Sequence, residues 1–343
     1  MAAKKKNSRL GVWIAIILIL AAGFAILSLF GPNTGAFTKG EYLYIQTGAD
    51  YDKVKGALSD GGFVKDMTTF NLIAEGLGLP SHIHPGKYRI NRGMSNFKIV
   101  RMLRSGKQTP VKIVINKLRT KGELVAVLDS NLEAGPDTLW QMIRDAAYLA
   151  QFGLDTNTMM CAILPDTYEF YWNSSADKAF RKIAKNYTRF WDDNHKHAAA
   201  KQGLTPVQAI IVASIVEEET NMSEDKPKIA SVYLNRKRTG MKLQADPTVR
   251  FAQGDFSIRR IAGAMLDNPS PYNTYKYEGL PPGPICTPTA ATIEAVLQAP
   301  KTTYLYFCAS PDFSGHSAFA TNYDEQLKNA HAYQQALDAR GIH

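Results

Sequence analysis

The sequence predicts an α+β protein held at a membrane by a single N-terminal transmembrane helix. Three observations predict it. Gly11 to Phe30 (GVWIAIILILAAGFAILSLF) is almost wholly apolar. Short β-prone runs, Tyr42-Leu43-Tyr44-Ile45 and VKIVI at 111–115, are interleaved with stretches of helical periodicity. One such stretch begins at Thr205-Pro206, and its next ten residues are apolar nearly all round, as a helix buried in a core must be. The chain has 343 residues, enough for about two or three domains and a sizeable core.

From Leu10 to Thr38 no residue is charged, and Lys4, Lys5, Lys6 and Arg9 precede the apolar run. At about 1.5 Å rise per residue, roughly 20 residues span one bilayer core of about 30 Å. In lipid only a helix satisfies the backbone of such a segment. The flanking cations leave residues 1–9 in the cytoplasm and send the rest across. A cleaved signal peptide would have a shorter apolar region, about 7–15 residues, and a small-x-small site. The following FGPNTGAF offers only a poor one. Residues 10–30 therefore read as an uncleaved anchor in the cytoplasmic (inner) membrane, and 31–40 as a linker. The bulk of the chain is expected outside the cytoplasm, away from ATP and NAD. Neither GxxxxGK[ST] nor a convincing GxGxxG is present. No cofactor is expected.

The net charge is +9, but four of the cations lie in the first nine residues and no acid precedes Glu41. Elsewhere Lys and Arg are interleaved with acids, whereas a nucleic-acid binder gathers its cations on one face. No nucleic-acid partner is expected. Cys161, Cys286 and Cys308 show no CxxC spacing, and HExxH is absent, so no metal is expected either. An odd number of cysteines leaves at least one thiol free unless it pairs between chains.

After the linker, Tyr42–Ile45 is expected as a strand and Asp50 as the cap of a helix carrying Val54 and Leu58. A second short helix is expected over 68–76. Pro85-Gly86 turns into a strand ending at Ile90, and Ser95 caps a helix that stops at Gly106. This gives a small strand–helix–helix–strand–helix module over 41–107. Residues 108–200 read as a connecting part of a larger region: a strand at 111–115, helices at 121–133 and 137–150, an aromatic turn-containing segment at 161–171, and a basic amphipathic helix over 175–198. Residues 201–343 read as that region's core.

Within the core, Thr205 is a good N-cap and Pro206 suits the first helical position. The helix they begin ends in Glu217-Glu218-Glu219. Acids at a helix C-terminus face the negative end of the macrodipole, which is unfavourable, and local rules tend to fail at working sites. Beside an apolar helix the charged form is disfavoured, so a carboxyl there is expected to titrate high, as suits a general acid. A solvated helix end is the plain alternative, and spacing alone does not choose among the three. Downstream, the Pro-, Gly-, Asn- and Tyr-dense loops at 243–248, 270–275, 279–288 and 304–307 have preset backbones suited to a saccharide groove, though prolines and tyrosines also serve turns and core.

ASIVEEET (213–220), SVYLNR (231–236), GMKLQADPTV (240–249), PYNTY (271–275), GLPPGPI (279–285), TYLYF (303–307) and the GH…F…TN run (315–322) follow in this order. Together they resemble the endolytic murein transglycosylase family, the MltG/YceG-like proteins. The match covers most of 205–325, and PGKYRI…MS…I…L..G over 85–106 resembles the family's LysM-like module. The resemblance implies a lytic enzyme that cleaves the MurNAc–GlcNAc β-1,4 bond of nascent glycan strands, leaves 1,6-anhydro-MurNAc ends and terminates strand elongation. Its first motif acid falls on Glu217, the implied catalytic residue, and the other family acid on Glu219. Glu218 holds a variable position, and its charge is expected to push Glu217 further up. Gln244, Asp246, Thr248, Tyr272, Asn273 and Tyr275 match motif positions and are the candidates for the groove. His316 is either a second polar group of the site or a structural histidine. Peptidoglycan strands and the cytoplasmic membrane are the implied partners, with cell-wall synthases as further candidates. Two alternatives stand beside this: a muramidase-type hydrolase using Asp246 as second acid, and a non-catalytic, membrane-tethered peptidoglycan-binding scaffold.

Overall fold

The structure is a computed structural model and describes residues 6–35 and 41–341. The first five residues of the expected cytoplasmic tail and residues 36–40 of the expected linker lie outside the described part. Helix α1 runs Lys6–Phe30. Its segment Leu10–Phe30 has a mean hydropathy of 2.8 and is not buried by the protein. It is the one unbroken helix among the described residues long and apolar enough to cross a membrane, which fits a membrane anchor.

The chain divides into two compact units. The first comprises Met1–Lys112 with Asn131–Glu133 and Glu169–Ser175. Its centre is an antiparallel pair, β1 (Glu41–Ile45) and β2 (Gly86–Ile90), with Glu41 opposite Ile90 and Ile45 opposite Gly86. Helices α2 (Tyr51–Asp60) and α3 (Met67–Gly76) connect the strands, and α4 (Asn96–Ser105) follows them. Each helix starts where a side chain satisfies an orphan N–H. Asp50 accepts from Lys53, Asp66 from Thr68 and Thr69, and Ser95 from Lys98. Gly106, with φ 63°, ends α4 in the left-handed conformation that glycine adopts without penalty. Period-2 alternation turns Leu43 and Ile45 inward, where they meet Val54, Leu58, Phe70, Ile90, Ile99 and Leu103. Each such side chain contributes about 1.5–3 kcal/mol through burial. Tyr88 is wholly buried, and its hydroxyl donates to the His84 carbonyl at 2.7 Å.

The second unit comprises Ile113–Ser130, Ala134–Tyr168 and Ala176–His343. Its elements begin with β3 (Val111–Ile115), α5 (Lys121–Asp129), α6 (Pro136–Arg144), α7 (Ala146–Ala150) and β4 (Asp166–Phe170). β3 pairs with β4, and the chain passes from one unit to the other within these strands. There follow α8 (Ala176–Phe190), α9 (Asp193–Lys201), α10 (Pro206–Glu219), α11 (Lys226–Arg238), α12 (Asp246–Gln253), α13 (Ala290–Leu297), β5 (Tyr306–Ala309), β6 (Ser317–Ala320) and α14 (Tyr323–Asp338). α10 packs against α11, α12 and α13, so Ala209 through Val216 are all buried. Thr205 and Gln208 close a reciprocal capping box at its start, with Pro206 in the first turn.

The structure departs from the sequence reading at three places. The helix expected over 137–150 breaks at Asp145, whose carboxylate accepts the Ala147 and Tyr148 N–H groups and restarts the chain as α7. The helix expected over 175–198 breaks at Asp192, which caps α9 through the His195 N–H. The turn-containing 161–171 segment holds strand β4. An internal Asp offers the backbone a cap in competition with helix continuation.

Candidate active site

At about 100° per residue, three consecutive side chains at the end of α10 leave the helix in three directions. Each glutamate meets a different environment. Glu217 Oε2 receives Lys226 Nζ at 3.1 Å, the Thr289 hydroxyl at 3.2 Å and the Thr292 hydroxyl. Lys226 Nζ also donates to Thr292 Oγ1 at 2.6 Å. The Lys226–Glu217 ion pair is well enclosed, its side chains 14% and 11% exposed. Glu218 meets Lys117 Nζ at 2.7 Å and Arg119 Nη2 at 3.0 Å. Burial pushes the Glu218 carboxyl up, but the bonds and charges of these two cations outweigh it, and the group titrates below the usual range. The charge expected to act on its neighbour is thus compensated by Lys117 and Arg119.

Glu219 points elsewhere. It accepts a hydrogen bond from the Tyr233 hydroxyl. Burial raises its carboxyl to about 7; the charge of Asp246 adds to the rise, while the Tyr233 bond, Arg250 and Arg236 oppose it. The high titration expected at this helix end therefore falls on Glu219. Glu219 also lines a cavity of about 390 Å³, whose walls include Phe307, Cys308, Phe313, His316 and Tyr333, and neither Glu217 nor Glu218 lines it. Glu217, the acid the family resemblance marks as catalytic, is thus enclosed with Lys226, while Glu219 faces the cavity.

The groove candidates divide into two groups. Asp246, exposed at the start of α12, accepts the Tyr275 hydroxyl at 2.6 Å. Burial and the Asp246 charge raise the Tyr275 phenol, and the Glu219 charge adds to this, so Glu219, Asp246 and Tyr275 belong to one electrostatic cluster. Gln244 is exposed and stands at φ 49°, a conformation uncommon for a residue with a β-carbon. His316 lines the same cavity as Glu219, its Nδ1 3.2 Å from Asp225 Oδ1. Asp225 is 2% exposed and also accepts the Ser317 N–H at 2.7 Å.

Thr248 and Asn273 behave differently from the expected sugar ligands. Both are completely buried. The Asn273 amide donates to the Leu266 and Asn268 carbonyls, and Thr248 Oγ1 bonds to the Ala245 carbonyl and Thr274 Oγ1. Their polar groups are spent on fixing the 244–248 and 268–275 loops, because a buried polar group must find its partner within the protein. Tyr272 is half-buried and packs on Phe251 at 4.7 Å between ring centroids. Among these six candidates, Gln244 and Asp246 are exposed and Tyr272 and Tyr275 are half-buried, so these four keep surface toward solvent.

Sequence reasoning passed over Asp225, Lys226, Thr289 and Thr292 as individuals. Tyr233 and Arg236 stood inside the SVYLNR motif without a role. A buried tyrosine hydroxyl directed at an acid is visible only after α10 and α11 are packed. Cys161, Cys286 and Cys308 are all free thiols, the first two buried.

The YceG-like family profile matches residues 43–332. The chain belongs to the YceG-like family. It is 27% identical over 304 residues to a Bacillus subtilis (strain 168) protein named endolytic murein transglycosylase, covering 84% of this chain and 83% of the relative. It is 23% identical over 321 residues to a protein of the same name from Streptococcus pneumoniae serotype 2 (strain D39), covering 83% of this chain but 57% of that relative. A crystal structure of a yceG-like protein from Listeria monocytogenes shares the fold, with a TM-score of 0.56, 24% identity, and coverage of 85% of this chain and 99% of that one.

Proposed function

We propose that this protein is a peptidoglycan lytic transglycosylase that cleaves the MurNAc–GlcNAc β-1,4 bond inside glycan strands, with Glu219 as its acid and base. The observation that carries the assignment is geometric: of the three acids ending α10, Glu219 is the one that lines the cavity, and burial there raises its carboxyl to about 7. Such a group is protonated in a large fraction near neutral pH and can still act as a base once ionised. The relatives' names supply the reaction class.

A lone acid suffices for this chemistry. Glu219 protonates the departing glycosidic oxygen as its bond to C1 of the muramic acid breaks. The carboxylate then takes the proton from the C6 hydroxyl, whose oxygen closes on C1 to form the 1,6-anhydro ring. Because the nucleophile belongs to the same sugar, its effective concentration is high and no water need be activated. The Tyr233 hydroxyl fixes the orientation of Glu219, and Glu217 serves as counter-ion to Lys226. Gln244, Asp246, Tyr275 and His316 form the polar wall for the saccharide, while Thr248, Tyr272 and Asn273 set the shape of the loops.

The apolar α1 and the small unit behind it fit an enzyme tethered to the cytoplasmic membrane. The catalytic part then faces the extracytoplasmic side, where it trims nascent strands beside their synthases. In this reading the βααβ core of the first unit is the LysM-like module. A muramidase-type hydrolase has one observation in its favour, the carboxylate of Asp246 acting on Glu219, since hydrolysis uses two carboxyl groups.

The test is digestion of purified glycan strands followed by mass spectrometry. Wild-type protein and Glu217→Gln are expected to release anhydro-terminated fragments, lighter than reducing ends by one water, and Glu219→Gln is expected to release none. Reducing ends from wild type would establish the hydrolase, and undiminished cleavage by Glu219→Gln would remove the assignment.

A further inference from the structure

The charge balance of the whole chain conceals a local excess. Between Gly76 and Lys112, all within the first unit, stand eight cations and no acid. The interleaving of charge expected from the sequence breaks down here. Three of the eight, Lys98, Arg101 and Arg104, are exposed on α4. We propose that this face of α4 docks on the anionic phospholipid headgroups of the membrane that α1 enters. The inference rests on α1 as an anchor and is independent of the cleavage reading.

Four observations carry it. The first is position. The Phe30 ring, at the end of the apolar helix, lies 5.1 Å from the Phe97 ring at the start of α4. The segment Leu10–Phe30 has 21 residues, which span about 30 Å of hydrocarbon. Phe30 therefore marks the edge of the apolar layer, and Phe97 stands at the level of the headgroups.

The second is attachment. The chain after α1 is bonded into the unit. The Asn33 N–H donates to the Met94 carbonyl at 3.0 Å, the Asn33 amide to the Asp66 carbonyl at 3.1 Å, and the Gly93 N–H to the Thr34 hydroxyl at 2.8 Å. These bonds hold α4 beside the end of the anchor.

The third is direction. At about 100° per residue, positions 97, 101 and 104 fall on one face of α4, with Lys98 at its flank. The Arg101 guanidinium lies over the Phe97 ring, 5.7 Å from its centroid. The face that meets α1 is thus the face that carries the guanidinium groups. Arg104 is about 10 Å beyond Phe97 along the helix axis. Whatever the tilt of α4, the stripe stays within about one Debye length of the headgroup layer.

The fourth is missing counter-charge. Among the described residues no carboxylate pairs with Lys98, Arg101 or Arg104. Asp66, whose carbonyl accepts the Asn96 amide, commits its carboxylate to the N–H groups of Thr68 and Thr69. Each cation near an anionic bilayer is worth roughly fivefold in binding, so three favour it over a neutral bilayer by roughly a hundredfold.

The test places the full chain in lipid nanodiscs of phosphatidylcholine alone or of phosphatidylcholine with phosphatidylglycerol. A water-soluble arginine-directed dicarbonyl then labels the protein, and mass spectrometry reads the rate at each site. Labelling of Arg101 and Arg104 should be at least about fivefold slower in the anionic discs, and high salt should restore it. Lys98→Glu with Arg101→Glu should abolish the protection of Arg104. Equal rates in the two discs, or protection of Arg104 undiminished in the double variant, would overturn the inference. Equal protection in neutral discs by added inorganic phosphate would assign the stripe to a free anion and overturn it as well. Recovery of the chain in both discs tests the anchor separately, and failure to enter either would remove the anchor and this inference together.

Discussion

Replacing Glu219 by Gln should make the protein more resistant to unfolding at alkaline pH while ending catalysis. Burial lifts the carboxyl from its ordinary 4.5 to about 7. At about 1.36 kcal/mol per unit, this is about 3 kcal/mol of strain in the ionised folded protein. Partial exposure trims it to about 1–3 kcal/mol. The sign follows from proton counting. Between about 4.5 and 7 the folded state keeps a proton that the unfolded chain has released, so stability falls as pH rises through that window and levels off above it. Gln carries no such penalty, and its carbonyl can still accept the Tyr233 hydroxyl. The free-energy difference between variant and wild type should therefore grow by about 1–3 kcal/mol from pH 5 to pH 8. Denaturant titrations of the full chain in micelles at both pH values measure it. A difference that stays constant to within about 0.5 kcal/mol would show that Glu219 ionises as an ordinary surface acid, and the reasoning behind its role would fail.

Three further outcomes are expected. Tyr233→Phe removes the hydrogen bond that holds Glu219 down, so the alkaline limb of the cleavage rate should move to higher pH, read from a kcat/KM profile. Lys226→Met strands the Glu217 carboxylate in an enclosed site and should cost about 3–5 kcal/mol, measured as a lowered denaturation midpoint. Glu218 titrates below its usual range, so its stabilisation is present above about 4.5 and lost as pH falls through the lower folded value. Glu218→Gln should accordingly destabilise at pH 7 and approach wild type near pH 3 in the same titrations.

Local signals carried much of the fold. Thr205, Pro206 and an unbroken apolar run define α10, and Asp50, Ser95 and Gly106 bound the helices of the first unit, because caps and periodicity act within a few residues. The breaks at Asp145 and Asp192 are hidden in the sequence because an Asp inside an amphipathic pattern reads as one more solvent-facing residue until its carboxylate is seen on the next turn's N–H groups. At the site, the three glutamates were legible as a group but not as individuals. What distinguishes them comes from far along the chain: Lys117 and Arg119 precede Glu218 by about a hundred residues, and Thr289 and Thr292 follow Glu217 by more than seventy. Thr248 and Asn273 show the same lesson in reverse, since their motif positions gave no hint that their polar atoms were already committed inside the fold.

The surroundings of each acid are set by the rotational phase of α10. Its start is pinned by the Thr205–Gln208 box and its flanks by a fully packed apolar surface, so the helix cannot pivot to present a different residue. One residue inserted or deleted between Ala209 and Val216 would turn the terminus by about 100°. The side chain now beneath the lysine would be swung toward the arginine, and the glutamate at the cavity wall would leave it. If these acids do the chemistry proposed above, length changes in α10 should be far less forgiving than exchanges of one aliphatic residue for another.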